Sequence, residues 1–180
     1  KLSAVRGRSS LVSGPSFNFQ NRLVAQTKIP SELVFEAGRG IVPMAIIWQK
    51  LLEFDEAYLV TLKLVDAQGE IWATRDTLPK AAQASFDLLA VNETLIDHHG
   101  LLIPAGTPPG IYDLRLSVTD PSDETPLDLL DDQDQPRGVE ATLVQINVHP
   151  PTDPLNVNAL ARQAATNFVF DDQLALVGYT

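Results

Sequence analysis

The sequence predicts an all-β domain, an Ig-like antiparallel β-sandwich, from three observations. Several short segments alternate apolar and polar residues with a period of two, as strands with one buried face do. Turn-forming residues, 13 prolines and 10 glycines, punctuate the 180 residues throughout. No helical pattern separates consecutive strands, which argues against a parallel α/β sheet and favours two packed antiparallel sheets.

The predicted strands can be justified in order along the chain. Ile41–Leu51 is a long apolar run containing Trp48, typical of a central strand. Tyr58–Val65, Tyr112–Thr119 and Thr142–Val148 alternate, and their even-numbered residues form the predicted inner face. The remaining predicted elements are strands at Phe17–Thr27, Glu32–Glu36, Ile71–Asp76 and Thr94–Ile103, and a hairpin turn at Asp66–Gly69.

The predicted domain organisation has four segments: 1–14, an N-terminal segment; 15–149, the sandwich; 150–166, a linker; and 167–180, the first strand of a following repeat. The linker begins with three prolines between residues 150 and 154, and contains an Ala-rich helix candidate at Asn158–Thr166. The repeat rests on Phe17–Leu23 and Phe168–Leu174, which both read F-x-F-x-x-x-L. This match predicts a tandem array of modules.

Composition excludes several functional classes. The net charge of −10 argues against binding to nucleic acid, which needs a basic surface. The chain has no cysteine, so it has no disulfide, thiolate nucleophile or zinc–thiolate site. No apolar run approaches the roughly 20 residues that span a bilayer, so we expect no membrane insertion by this segment.

The most site-like triplet is Asp97, His98 and His99, since imidazole and carboxylate groups are transition-metal ligands. Adjacent strand residues point to opposite faces, so both histidines could reach one ion only if the chain turned at Gly100. We therefore interpret the triplet as a polar turn before Leu101 and predict no metal site.

Asp120–Asp134 carries seven acids and no base, and we predict an exposed loop. It lacks the spacing and glycine of an EF-hand loop, so no specific calcium site is expected. The sequon at Asn92–Thr94 is common by chance and carries little information.

Three aromatic residues have predicted roles. Trp48 lies in the most apolar strand and is expected in the core. Trp72 follows the predicted hairpin and is the candidate for an exposed, sugar-stacking role. Tyr112 follows Pro109-Gly110 at the start of a strand, as in the tyrosine corner of Ig-like domains. Its hydroxyl is expected to bond to backbone near Ala105–Thr107.

The order of several short stretches gives the chain a family resemblance. The stretches are Phe17–Leu23, Ile47–Gln49, Leu62–Trp72, Asp76–Pro79, Leu101–Pro104 and Pro108–Tyr112, followed by a strand ending at Val148. This order resembles the extracytoplasmic β-sandwich repeat of bacterial membrane proteins of the dolichyl-phosphate-mannose-type, glycosyltransferase-like class. The resemblance covers about residues 15–148 and implies fold and context, with no catalytic residues.

The expected function is a non-catalytic accessory or spacer module on the outer side of a bacterial envelope protein. Its expected partners are neighbouring modules of the same polypeptide. The alternative is a carbohydrate-binding or adhesion module that recognises a cell-surface glycan, and a hydrolase is a distant third. The sequence contains no G-x-S-x-G, phosphate loop or H-E-x-x-H motif. We therefore predict no enzyme activity, and no catalytic, cofactor-binding or metal-binding residues.

Overall fold

The protein was analysed as a computed structural model that describes residues 10–152, 164–170 and 174–179, the last two ranges by their backbone. Its chain forms two compact units, residues 1–150 and residues 151–180. The elements of the first unit are β1 (Leu11–Phe19), β2 (Leu23–Pro30), β3 (Val34–Glu36), β4 (Ile41–Lys50), β5 (Leu59–Val65), β6 (Ile71–Thr77), α1 (Pro79–Ala82), β7 (Thr94–Leu102), β8 (Gly110–Asp120), β9 (Thr125–Pro126), β10 (Leu129–Leu130) and β11 (Ala141–His149). Among the described residues, no helix has the length and apolarity needed to cross a membrane.

The first unit is a β-sandwich, which confirms the predicted fold class. One sheet has the strand order β10-β1-β2-β4-β7, and the other has the order β3-β11-β8-β5-β6, with β9 beside β8. Neighbouring strands are antiparallel except β3 and β11, which pair in parallel. The antiparallel prediction is therefore wrong for this pair. The reason is that β3 and β11 belong to distant parts of the chain, so no hairpin sets their direction.

The core lies between the two sheets and is centred on aromatic residues. Trp48 is fully buried, as predicted. Its ring centroid lies 6.1 Å from that of Phe19 and 5.1 Å from that of Phe86. The inward faces of β5 and β8 supply Val60, Leu62, Leu64, Leu114, Leu116 and Val118, all of them fully buried. The period-two pattern thus identifies the inner face of both strands.

Two predicted strands have a different internal arrangement. Phe17–Thr27 is not one strand, because the chain reverses between β1 and β2. Gln20 and Asn21 make this turn with φ values of 54° each, an uncommon conformation for residues other than glycine. In β11 the pairing with β8 shifts between Thr142 and Val144. Leu143, the extra residue of this bulge, is buried and Thr142 is exposed, so the predicted inner face is wrong there.

The acidic segment is also more structured than the predicted exposed loop. β9 pairs with β8, and β10 pairs with β1. Leu127, Leu129 and Leu130 are buried between the acids. The prediction of a simple loop is therefore wrong, because these leucines hold the segment against the sandwich while its carboxylates stay near the surface.

The second unit contains an antiparallel hairpin of β12 (Ala164–Phe170) and β13 (Leu174–Tyr179). The helix predicted at Asn158–Thr166 is wrong for residues 164–166, which lie in β12. The rest of that candidate falls outside the described residues. The predicted boundary between linker and strand, between residues 166 and 167, lies inside β12.

Candidate functional site

The predicted triplet Asp97–His99 lies within β7 and does not form a turn. Asp97 and His99 point into the sandwich, with side chains 1% exposed, whereas His98 is exposed on the other face. The expectation that the two histidines diverge is confirmed, but the polar turn is wrong, because β7 pairs with β4 through Leu102. Among the described residues, no three His, Cys, Asp or Glu side chains are grouped to hold a metal ion.

The buried Asp97 and His99 form the most unusual polar pair of the sandwich. His99 Nε2 lies 2.9 Å from Asp97 Oδ2. The contact is close, but it is not an aligned hydrogen bond, and His99 Nδ1 also lacks a hydrogen-bond partner among the described atoms. Residues i and i+2 of a strand share a face, so period-two reasoning could have placed the two side chains together.

A strained turn lies over this pair. The backbone N–H of Lys80 donates a hydrogen bond of 2.9 Å to Asp97 Oδ1. Lys80, Ala81 and Ala82 have φ values of 48°, 52° and 67°, so three consecutive non-glycine residues are left-handed. Such residues cost roughly 1–3 kcal/mol each and persist only where surrounding contacts hold them. Asp97 therefore acts as a buried anchor for α1 and the loop that follows it.

Lys50 is a second buried polar anchor that the sequence analysis did not identify. It is fully buried at the end of β4. Its Nζ donates to the carbonyl of Asp87 at 3.1 Å, lies 3.1 Å from Glu53 Oε2, and stands 4.5 Å from the ring centroid of Phe54. Lys50 thereby ties the loop between β4 and β5 to the loop between α1 and β7. A lysine at the end of a long apolar run was its only signal in the sequence.

The predicted tyrosine corner is confirmed. Tyr112 is 3% exposed, and its hydroxyl donates a hydrogen bond of 2.7 Å to the carbonyl oxygen of Pro108. Burial raises the pKa of this phenol above its ordinary value. The ring is thus part of the core and fixes the approach of the chain to β8.

Trp72 is the half-buried aromatic residue that lines a surface groove. The groove runs along β6 and β7, has a volume of about 490 Å³, and is also lined by Arg75, Gly100 and Leu102. The indole N–H of Trp72 donates to Asp66 Oδ2 at 2.9 Å, and this bond lowers the pKa of Asp66. Arg75 Nη1 donates to the carbonyl of Gly100 at 2.7 Å, so it bridges the edge strands of the two sheets.

The acidic segment uses its carboxylates within its own turns. Asp131 Oδ1 accepts backbone N–H groups of Gln135 and Gln133, which lower the pKa of Asp131. Asp120 Oδ1 accepts the hydroxyl and the backbone N–H of Ser122, which lower the pKa of Asp120. The bonds to backbone N–H groups two residues on are typical of Asx turns, so the carboxylates stabilise the local backbone.

A charged cluster beside the acidic segment was also missed by the sequence analysis. Arg22 donates to Glu56 at 3.0 Å and to the hydroxyl of Tyr58. The hydrogen bond from Arg22 lowers the pKa of Glu56, whereas burial raises the pKa of Tyr58. With Asp120 and Asp123, these residues line a cleft of about 220 Å³. The cluster unites residues that are distant in sequence, so no local motif marks it.

Comparisons with known proteins show a structural similarity to solved structures. No family model matches the chain, and no curated protein matches it. One similar solved structure is titled "Crystal structure of the C-terminal domain of wzt"; it is 10% identical, with a TM-score of 0.42. The similarity covers 82% of this chain and 81% of that chain.

Proposed function

We propose that the sandwich is a non-catalytic accessory or spacer module on the outer side of a bacterial envelope protein, as the resemblance to the glycosyltransferase-like class implies. The main supporting observation is that the buried polar side chains of the sandwich bind its own backbone. Asp97 and Lys50 are both buried, and each binds a backbone group of a loop. Their contacts hold the module together, which is the demand placed on a spacer.

The proposed partners are neighbouring modules of the same polypeptide. The sandwich supports this role because both of its sheets contribute to one apolar cluster. A module with its own core can be joined to others by linkers without depending on them for folding. The extracytoplasmic location follows from the family resemblance and is part of the same proposal.

A carbohydrate-binding module is the second candidate, and the groove beside Trp72 favours it. Protein sites for sugars commonly combine an aromatic face with polar groups, and here Trp72 lies in the same groove as Arg75. The indole N–H is engaged by Asp66, which fixes the ring in place. A hydrolase stays the distant alternative, and no described feature favours it.

Tryptophan fluorescence separates the two candidates, because Trp48 is buried and Trp72 is half-exposed. The protein would be titrated with bacterial surface polysaccharides and their oligosaccharides, with Trp72→Phe as a variant that removes the exposed reporter. A spacer gives no saturable change with any glycan. Saturable binding that titration calorimetry also detects and that disappears in Trp72→Ala, while the denaturation midpoint is kept, would replace the spacer by the binding module. Turnover of chromogenic glycosides or esters would overturn both.

A further inference from the structure

The hairpin of the second unit repeats the first hairpin of the sandwich at a fixed distance along the chain. β1 ends at Phe19 and β2 begins at Leu23. β12 ends at Phe170 and β13 begins at Leu174, each 151 residues later (19 to 170, 23 to 174). The sequence match alone predicted one strand with three identical residues. The structure extends the correspondence to two strands and the turn length between them.

The pairing register is the same in both hairpins. The pairs of the first are Phe19↔Leu23, Asn18↔Val24 and Phe17↔Ala25, and those of the second are Phe170↔Leu174, Val169↔Ala175 and Phe168↔Leu176. The registers also shift at places that correspond to within one residue, between Ser13 and Ser16 in β1 and between Ala165 and Phe168 in β12. A bulge is a specific feature of a strand pair, so its recurrence is stronger support than the shared sequence letters.

Residue size changes in a complementary way beside this bulge. A Cβ atom on Gly14 would come 2.6 Å from Thr27 Oγ1, which is too close, so the first hairpin needs a glycine opposite its threonine. The equivalent positions are Ala165 and Gly178, which pair with each other. The glycine is thus in the first strand of one hairpin and in the second strand of the other. Either arrangement leaves one small residue at the close contact, as expected for two hairpins of the same geometry.

We propose that residues 164–179 are the opening hairpin of a second sandwich, completed by a further copy of this module on the same polypeptide. In the first unit, β2 pairs with β4, and β1 pairs with β10. β12 and β13 form a separate two-stranded sheet, and such a hairpin is marginally stable in water by itself. By its matching register, β13 should pair with an equivalent of β4, and β12 with an equivalent of β10. This inference deepens the proposed function, since it names the neighbouring module.

A hairpin graft within the full chain tests the proposal. Residues 164–179 replace residues 13–28, with alanine kept at position 25, because Ala25 is fully buried and a leucine there would overpack the core. The matched control grafts residues 163–178, which shifts every residue to the opposite face. The in-register graft is expected to unfold cooperatively, and the shifted graft to lose its cooperative transition. Equal behaviour of the two grafts would overturn the proposal.

Two smaller variants keep the test decisive if grafted chains do not fold. Gly14→Ala and Thr27→Gly should each lower the equilibrium constant for folding. The double variant should have an equilibrium constant about tenfold higher than multiplication of the two single effects predicts. Multiplicative effects would contradict the shared geometry. A dimer of the 180-residue chain that dissociates on removal of residues 152–180 would make the partner a second molecule and would also overturn the proposal. None of these results depends on glycan binding, so the proposed function fails or stands separately.

Discussion

At the scale of single residues, the sandwich is held at points where one side chain fixes a segment of backbone. Tyr112 fixes the chain entering β8 through the carbonyl of Pro108. Asp97 fixes the left-handed turn at Lys80, and Lys50 fixes the loop at Asp87. Each is a buried polar group whose partner is a backbone group in a connection between strands, where the period-two pattern does not apply. Substitutions at these positions should therefore lower the stability of the sandwich.

Tyr112→Phe removes one hydroxyl and leaves the ring in the core. We expect it to lower the free energy of unfolding by about 1 kcal/mol, the usual net value of such a hydrogen bond. Urea denaturation measures this, and the slope with denaturant should stay unchanged. A variant as stable as the parent would show that the hydrogen bond to Pro108 contributes nothing.

Asp97 and His99 should be coupled in a double-mutant cycle. Replacing either with leucine leaves its buried partner without its charge or dipole contact, and breaking buried pairs costs about 3–5 kcal/mol. Removing both leaves only the Lys80 N–H unpaired, as the Asp97 variant already does, so the double variant should lose less than the sum of the single losses by at least about 1 kcal/mol. Additive losses in urea denaturation would show that the 2.9 Å contact carries no energy.

At the scale of elements, the sequence predicted best where one face of a strand is buried and the other is exposed. β8 follows this pattern from Tyr112 to Val118, and its limits agree with the structure within two residues. The turn between β1 and β2 was missed because Gln20 and Asn21 adopt positive φ without a glycine. β9 and β10 were missed because burial of the neighbouring leucines depends on contacts with β1 and β8, which lie far away in the chain.

The candidate site was predictable in part for the same reasons. Trp48 and Tyr112 were assigned to the core from their strands, and the structure agrees. The pairing of Asp97 with His99 follows from a period of two. The turn over them does not, because nothing local requires Lys80, Ala81 and Ala82 to be left-handed. Lys50 and the cluster around Arg22 depend on contacts across the fold and leave no pattern in the sequence.

The β5–β6 hairpin should lose stability in acid through Asp66. Its carboxylate accepts Trp72 Nε1–H and the backbone N–H groups of Gln68 and Glu70, and the pKa is lowered. A lowered pKa stabilises the folded state above the ordinary value near 3.9, and this contribution is lost as the pH falls through the folded pKa. Asp66→Asn should therefore lower the denaturation midpoint at neutral pH, and this difference should vanish well below about pH 4.

Asp132→Asn is the charge-matched control, because Asp132 is an exposed acid outside this hairpin. Its denaturation midpoint should differ from the parent's by the same small amount at neutral and at acid pH. If Asp66→Asn behaves in the same way as this control, the hydrogen bonds to Asp66 do not stabilise the hairpin.

At the scale of the whole molecule, the chain combines a complete sandwich with a hairpin that belongs to another compact unit. Each unit contains its own strand pairing. The buried apolar residues of the first unit form one cluster that draws on both of its sheets. The sandwich should therefore be stable without the residues that follow it, as a module in an array must be.

Of two equivalent substitutions in the two hairpins, only the one in the first hairpin should destabilise the sandwich. Phe19 is fully buried against Trp48, so Phe19→Ala should lower the free energy of unfolding by about 3–5 kcal/mol. Phe170, its counterpart 151 residues later, belongs to the other unit, so Phe170→Ala should leave the main thermal transition in place.

Removal of residues 152–180 should likewise shift the melting temperature by no more than about 2–4 °C. Calorimetry of the three proteins measures these effects, and a fall of more than about 8 °C on truncation, beyond the effect of 1–2 kcal/mol at this size, would show that the tail contributes to the sandwich itself.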